Sequence, residues 1–258
     1  MRRALLTLVL AAFILAPATA QEENEISFRN ISSLTVDAFF DADIQTTIDQ
    51  VLLITITPSF ALELKILRED TTNFAEETES LNESTASIAP VLVWGGGSYS
   101  VFRYGFGFDS ERRFSHEFET NTTHEKSEFV ASYGVRGVYY PSPAYWFVVP
   151  SMGLTVFPAP GWSVMAKYFG SMNSADEVSS ALWMEVSHQL NNWLGLKVGG
   201  TGEATSVPVE ADRFKASGLV GAVFTLRENL RLRYQAEFLG STDQARGIRN
   251  NLVFDVTF

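Results

Sequence analysis

The stretch Leu230-Arg231-Leu232-Arg233-Tyr234-Gln235-Ala236-Glu237-Phe238 alternates apolar and polar residues without a break. Only a strand sends successive side chains to opposite faces, so one face here meets an apolar medium and the other a polar one. The C-terminal segment repeats the pattern. Phe258, Val256, Phe254, Leu252 and Ile248 share one face, interrupted only by Asn250, and Thr257, Asp255, Val253, Asn251 and Arg249 take the other. Working backwards, Phe214 to Leu226, Leu182 to Val186, Trp162 to Tyr168 and Phe129 to Val135 follow the same period of two. Many runs are longer than the five or six residues usual in globular strands. They match the roughly 9 to 11 residues a tilted strand needs to cross a bilayer.

Turn chemistry separates the runs unevenly. Asn191-Asn192, Glu228-Asn229, Pro158 to Gly161 and Gly95 to Ser98 are tight connections, while Glu69 to Glu83, Gly170 to Glu177, Thr205 to Ala211 and Ser241 to Gly247 are longer and polar. Counting back from Phe258, the short turns from Asn229 to Pro158 fall on one rim. Short turns on one side and long loops on the other describe a membrane barrel with its short turns in the periplasm. The expected fold is therefore all-β, a single antiparallel transmembrane β-barrel of 12–14 strands. The parse into fourteen depends on two weak breaks, Pro58-Ser59 and Asp109 to Arg112. Trp94, Tyr99, Tyr139, Tyr140, Tyr145, Trp146, Trp162, Tyr168, Trp183 and Trp193 gather near proposed strand ends, as boundary aromatics do.

Residues 1–20 read as a cleaved secretory signal peptide: Arg2 and Arg3, an apolar run from Ala4 to Ala16, then Ala18-Thr19-Ala20. Residues 21–258 form the barrel. The chain of 258 residues has no cysteine, which excludes disulfides and thiolate chemistry. Its net charge of −11 becomes −13 once the two leader arginines leave. That balance argues against nucleic acid as a partner, because phosphate neutralisation needs clustered Lys and Arg.

On these features the chain resembles the bacterial outer-membrane β-barrel proteins, porin-like in kind. The resemblance rests on the leader, the amphipathic strands across Ile26 to Phe258, and the alternating terminal segment Leu252, Phe254, Val256 and Phe258. It implies that those four residues are the signal read by the barrel-assembly machinery. It also implies a home in the outer membrane of a Gram-negative cell envelope, reached through the periplasm, with membrane lipid and lipopolysaccharide as surroundings. The stretch Pro160 to Gly202 is similar to the YaiO-type barrels, without the helical repeats sometimes attached to those.

Chemistry is sparse. Ser187-His188 and Ser115-His116 are strand neighbours whose side chains diverge, and His124 falls in a polar connection from Thr120 to Ser127. The acidic run from Glu69 to Glu83 lacks the spacing of a calcium loop. No enzyme, metal or cofactor is expected. The inner face is more informative. Alternation turns Lys65, Arg103, Arg136, Lys167, Lys197, Arg213, Lys215, Arg231, Arg233 and Arg249 inward, ten of the 17 basic residues left after cleavage. Asp37, Glu63, Glu185, Glu203, Glu237 and Asp255 are the inward acids by the same rule. Two functions follow. A basic wall makes a passive channel for small polar or anionic solutes. A lumen filled by paired charges makes a non-conducting, structural or surface-contact barrel. For the channel, the expected lining is Arg103, Arg136, Lys167, Glu185, Lys197, Arg213, Lys215, Arg231, Arg233 and Glu237.

Overall fold

Fourteen strands, each with the period of two, leave no sheet edge to protect if the first pairs with the last, and they do so here. The computed structural model describes residues 26–39, 43–73, 82–109, 114–141, 144–206, 213–241 and 247–258. The expected signal peptide lies outside the described residues. In chain order the strands are β1 (Ser27–Phe39), β2 (Asp43–Thr57), β3 (Phe60–Asn73), β4 (Asn82–Gly95), β5 (Ser98–Asp109), β6 (Phe114–Glu125), β7 (Phe129–Pro141), β8 (Ala144–Val156), β9 (Trp162–Asn173), β10 (Val178–Gln189), β11 (Leu194–Ser206), β12 (Arg213–Arg227), β13 (Leu230–Ser241) and β14 (Gly247–Thr257). Every strand pairs antiparallel with its sequence neighbours, and β1 pairs with β14 to close the barrel. Closure satisfies the backbone of each strand on both sides, which a lipid environment demands.

Both weak breaks fall between strands. Pro58-Ser59 joins β2 to β3, and β5 ends at Asp109 before β6 starts at Phe114. Three two-residue turns on the same rim each have a register shift beside them: between Thr55 and Thr57, Val93 and Gly95, and Thr225 and Arg227. The middle one holds Gly95, Gly96 and Gly97 at φ of 88°, 59° and 78°, values that other residues adopt only with strain. At Gly97 a Cβ would also stand 2.5 Å from the Glu125 carbonyl.

That approach belongs to a wider arrangement. Around the turn rim, each turn carbonyl accepts a backbone bond from the end of a strand in the next hairpin. Ser59 O is met by Val93 N at 2.9 Å, Gly97 O by Glu125 N at 2.9 Å and Glu128 O by Phe157 N at 3.2 Å. Gly161 O is met by Gln189 N at 2.7 Å, Trp193 O by Thr225 N at 2.9 Å and Asn229 O by Thr257 N at 3.0 Å. Phe258 N donates to Phe28 O at 2.8 Å and completes the circuit at the β14–β1 seam.

The outer surface is apolar without being covered. Leu182, Met184, Val198 and Val220 are 46%, 53%, 56% and 51% exposed, which suits a lipid-facing wall and not a water-facing one. Leu252, Phe254 and Val256, opposite Tyr234, Leu232 and Leu230, lie on this outer face with Phe258. Asn250, the polar interruption beside them, accepts a bond at 2.8 Å from the Tyr234 hydroxyl on β13. Thr122 on β6 bonds Ser100 at 2.8 Å, and Ser100 in turn accepts from Trp94 Nε1 at 2.9 Å.

The boundary aromatics divide in two. Trp94, Trp162 and Trp193 face outward near the turn rim, and Tyr139 and Trp146 face outward near the loop rim. Tyr99, Tyr140, Tyr145 and Trp183 point into the lumen instead, and Tyr168 faces outward from mid-strand. The reason is parity. Tyr139 and Tyr140 are neighbours on a strand, as are Tyr145 and Trp146, so one of each pair must turn inward.

Candidate functional site: the barrel lumen

Residues directly opposite in an unbroken ladder share a face, so one cavity fixes the inner face of the whole barrel. A cavity of about 500 Å³ in the loop-side half is lined by Lys65, Arg103, Glu117, Glu119, Arg136 and Phe147, among others. From there the register carries the inner face around to Lys167 opposite Trp183, Glu185 opposite Met165, and Ser187 opposite Lys197. It continues to Glu203 opposite Lys215, Arg231 opposite Asp255, and Glu237 opposite Arg249. Arg213 opens β12 opposite Thr205; its side chain lies outside the described residues, as does that of Asp37.

Many of the inward charges are paired. Arg103 lies between Glu63 on β3, at 2.5 Å, and Glu119 on β6. Arg136 donates from Nε to Glu117 Oε1 at 2.8 Å and from Nη2 to Oε2 at 3.2 Å. Lys65 meets Asp49 at 3.0 Å, Lys197 meets Glu185 at 3.3 Å, and Arg249 meets Glu237 at 3.5 Å. Glu237 also accepts from the Ser217 hydroxyl. Lys167 takes a different partner, standing 4.9 Å from the centre of the Phe169 ring.

None of these contacts crosses the axis. Most join adjacent strands, and the two longest span one intervening strand over a small residue. Arg103 reaches Glu63, which sits opposite Ala89 on the intervening β4. Lys197 reaches Gln235 at 2.6 Å across Gly221 of β12, where an added Cβ would stand 2.7 Å from Lys197 Cε. A bulkier side chain at either place would lift the charged group off the wall. Because Ala89 and Gly221 are small, the network lies flat.

Four members of this network were absent from the inward set expected from alternation: Arg29, Asp49, Glu117 and Glu119. The basic wall expected from sequence is thus a mixed one. Segment Thr120 to Ser127, expected as a polar connection, is largely strand, since β6 runs to Glu125. His124 therefore sits on β6, with Nδ1 3.1 Å from the Ser98 hydroxyl and its ring 5.8 Å from that of Tyr133. No carboxylate orients that imidazole among the described residues. Ser187 and His188 do diverge. Ser187 bonds Ser163 at 2.6 Å inside, while His188 stacks on Trp162 outside with ring centres 4.2 Å apart. Ser115 is buried on the inner side, and His116 meets the Tyr104 hydroxyl at 2.8 Å on the outer one.

No family model and no curated protein matches the chain. Solved structures do match. OmpT of Vibrio cholerae, an outer-membrane protein, superposes with a TM-score of 0.57 at 8% identity over 93% of this chain and 100% of that one. An outer membrane channel from Pseudomonas putida F1 gives 0.53 at 10% identity, over 95% and 100%. The chain has the fold of the bacterial outer-membrane β-barrels. OpdO of Pseudomonas aeruginosa agrees, with a TM-score of 0.52 at 6% identity over 90% and 96%. At such identities it is the fold that is shared. The narrower likeness of Pro160 to Gly202 to the YaiO-type barrels has no counterpart among family models or curated proteins. What this outer-membrane-type barrel does must be argued from its own lumen.

Proposed function

We propose that the chain is a passive channel of the bacterial outer membrane, admitting small polar solutes and favouring anions. The reading rests on one observation: the inward ion pairs run along the wall between strands and leave the axis clear. Fourteen strands about 4.8 Å apart and tilted about 40° make a cylinder on the order of 28 Å across between backbones. Wall-hugging side chains do not meet across such a width, and every described residue belongs to the wall or to a short rim turn. Paired charges also give a polar, hydrated lining without a strong field of one sign.

Within that lining the preference for anions comes from the bases that no acid holds closely. Arg231, Arg233, Lys215 and Lys167 carry it, while Arg103, Arg136 and Lys197 are largely neutralised by Glu119, Glu117 and Glu185. We assign no catalysis to the Ser98–His124 contact, which has no orienting acid among the described residues. Barrel-assembly machinery acting on Leu252 to Phe258, with lipid and lipopolysaccharide around the outer face, completes the proposed setting, the short turns facing the periplasm.

Refolded chain in a planar bilayer under a salt gradient tests the reading. Steady conductance with a reversal potential on the anion side is the expected result, and replacing Arg231 and Arg233 with Glu is expected to move that potential towards cations. Silence from protein whose folding is verified by heat-modifiable gel mobility would replace the channel with a closed, structural barrel. An unchanged reversal potential in the double variant would remove those two residues from the mechanism.

A further inference from the structure

Around most of the lumen each base has an acid beside it, but the turn-side mouth departs from this balance. Arg29 of β1 and Arg231 and Arg233 of β13 converge on one carboxylate, Asp255 of β14, whose side chain is 7% exposed. Arg29 occupies both of its oxygens, Nε to Oδ1 at 2.9 Å and Nη2 to Oδ2 at 2.7 Å. Arg233 Nη2 is left 3.9 Å from Oδ2, beyond hydrogen-bond reach, and its Nε is buried with no partner among the described residues. Arg231 is opposite Asp255 in the ladder and exposed, and it interacts with that carboxylate only through its charge. The nearby turn adds one charge of each sign, Arg227 and Glu228. Three guanidinium groups thus share a single carboxylate, each of whose oxygens already accepts from Arg29.

We propose that Arg29, Arg231 and Arg233 form an oxyanion-binding site at the turn-side mouth of the lumen, taking small phosphate- or carboxylate-bearing solutes. A guanidinium is a planar fork that matches two oxygens of such a group at once, and two forks here have no hydrogen-bond acceptor among the described residues. Walls of low dielectric around a wet mouth strengthen the attraction, and side chains already fixed on rigid strands lose little freedom when a ligand arrives. Asp255 anchors Arg29 and at the same time weakens the site, keeping an incoming anion exchangeable. The site deepens the channel reading by giving its solutes a chemistry. Binding itself does not depend on conduction.

The test is calorimetric titration of inorganic phosphate into the full mature chain, folded in detergent at low ionic strength. Saturable binding is expected in the parent protein. In the Arg231→Gln/Arg233→Gln double variant it is expected to weaken by about tenfold or more, the loss of at least one charge-assisted bond. In Asp255→Asn it is expected to tighten. Absence of saturable uptake by parent protein that is folded on a heat-modifiability gel would overturn the site, as would equal affinity in the double variant. Phosphate binding without conductance would keep the site and discard the channel.

Discussion

Leu182→Arg is expected to lower the unfolding free energy of the barrel in lipid by about 2–4 kcal/mol, and Ala181→Arg by less than about 1 kcal/mol. The two positions are neighbours in the middle of β10, and the new side chain is the same. Leu182 faces the apolar medium, where it is 46% exposed in the isolated molecule. A guanidinium there must lose its water or drag a defect into the bilayer. Ala181 faces the lumen between Phe169 on β9 and Glu203 on β11. A guanidinium there stays hydrated and gains an acid within reach. Urea titration of protein in phospholipid vesicles, followed by tryptophan emission, reads both. Equal losses, or the larger loss at Ala181, would mean that the faces have been assigned the wrong way round.

Arg103→Leu should be the most damaging change inside the lumen. The Arg103 guanidinium separates Glu63 from Glu119, with all three side chains between 15% and 26% exposed. Removing it leaves two poorly hydrated carboxylates facing each other. For a fully buried pair, losing one partner costs about 3–5 kcal/mol; water in the lumen reduces that to about 2–3 kcal/mol here. The remedy follows from the cause. Adding Glu63→Gln and Glu119→Gln to Arg103→Leu removes the stranded charges and should restore most of the loss. A triple variant no more stable than Arg103→Leu would show that the arginine acts through packing alone.

The lipid-facing pattern was readable because burial in an apolar medium selects residues one by one. Leu230 to Phe238 and Leu252 to Phe258 carry that selection on their own surface, so the strands and the closed barrel follow from the sequence. Strand number was harder. Pro58-Ser59 and Asp109 to Arg112 are weak breaks because each is short, and only the pairing of β2 with β3 and of β5 with β6 separates the strands on either side. The lining was legible in its bases and not in its partners. On β6 the outer face holds Thr120 together with His116, Thr122 and His124, the last three met by Tyr104, Ser100 and Ser98, so the contrast between faces fades and Glu117 and Glu119 pass unnoticed. On β1 the same happens to Arg29, flanked by the outward Asn30 and by Phe28. Which base meets which acid depends on ladder register and on small residues such as Ala89 and Gly221, and no local pattern carries that information.

The linked turns on one rim bear on how the molecule can change. Six carbonyl bonds between successive hairpins and the Phe258–Phe28 contact act as a hoop, holding the circumference at the end where the arginines stand. A mouth of fixed girth keeps three positive charges at a constant spacing, whatever happens at the opposite end. Backbone amides in the hoop should therefore exchange slowly with solvent, because opening one turn strains the next. On the far rim one bond of this kind is present among the described residues, from Ser174 N to Trp146 O at 2.9 Å. One end of the cylinder keeps the gauge.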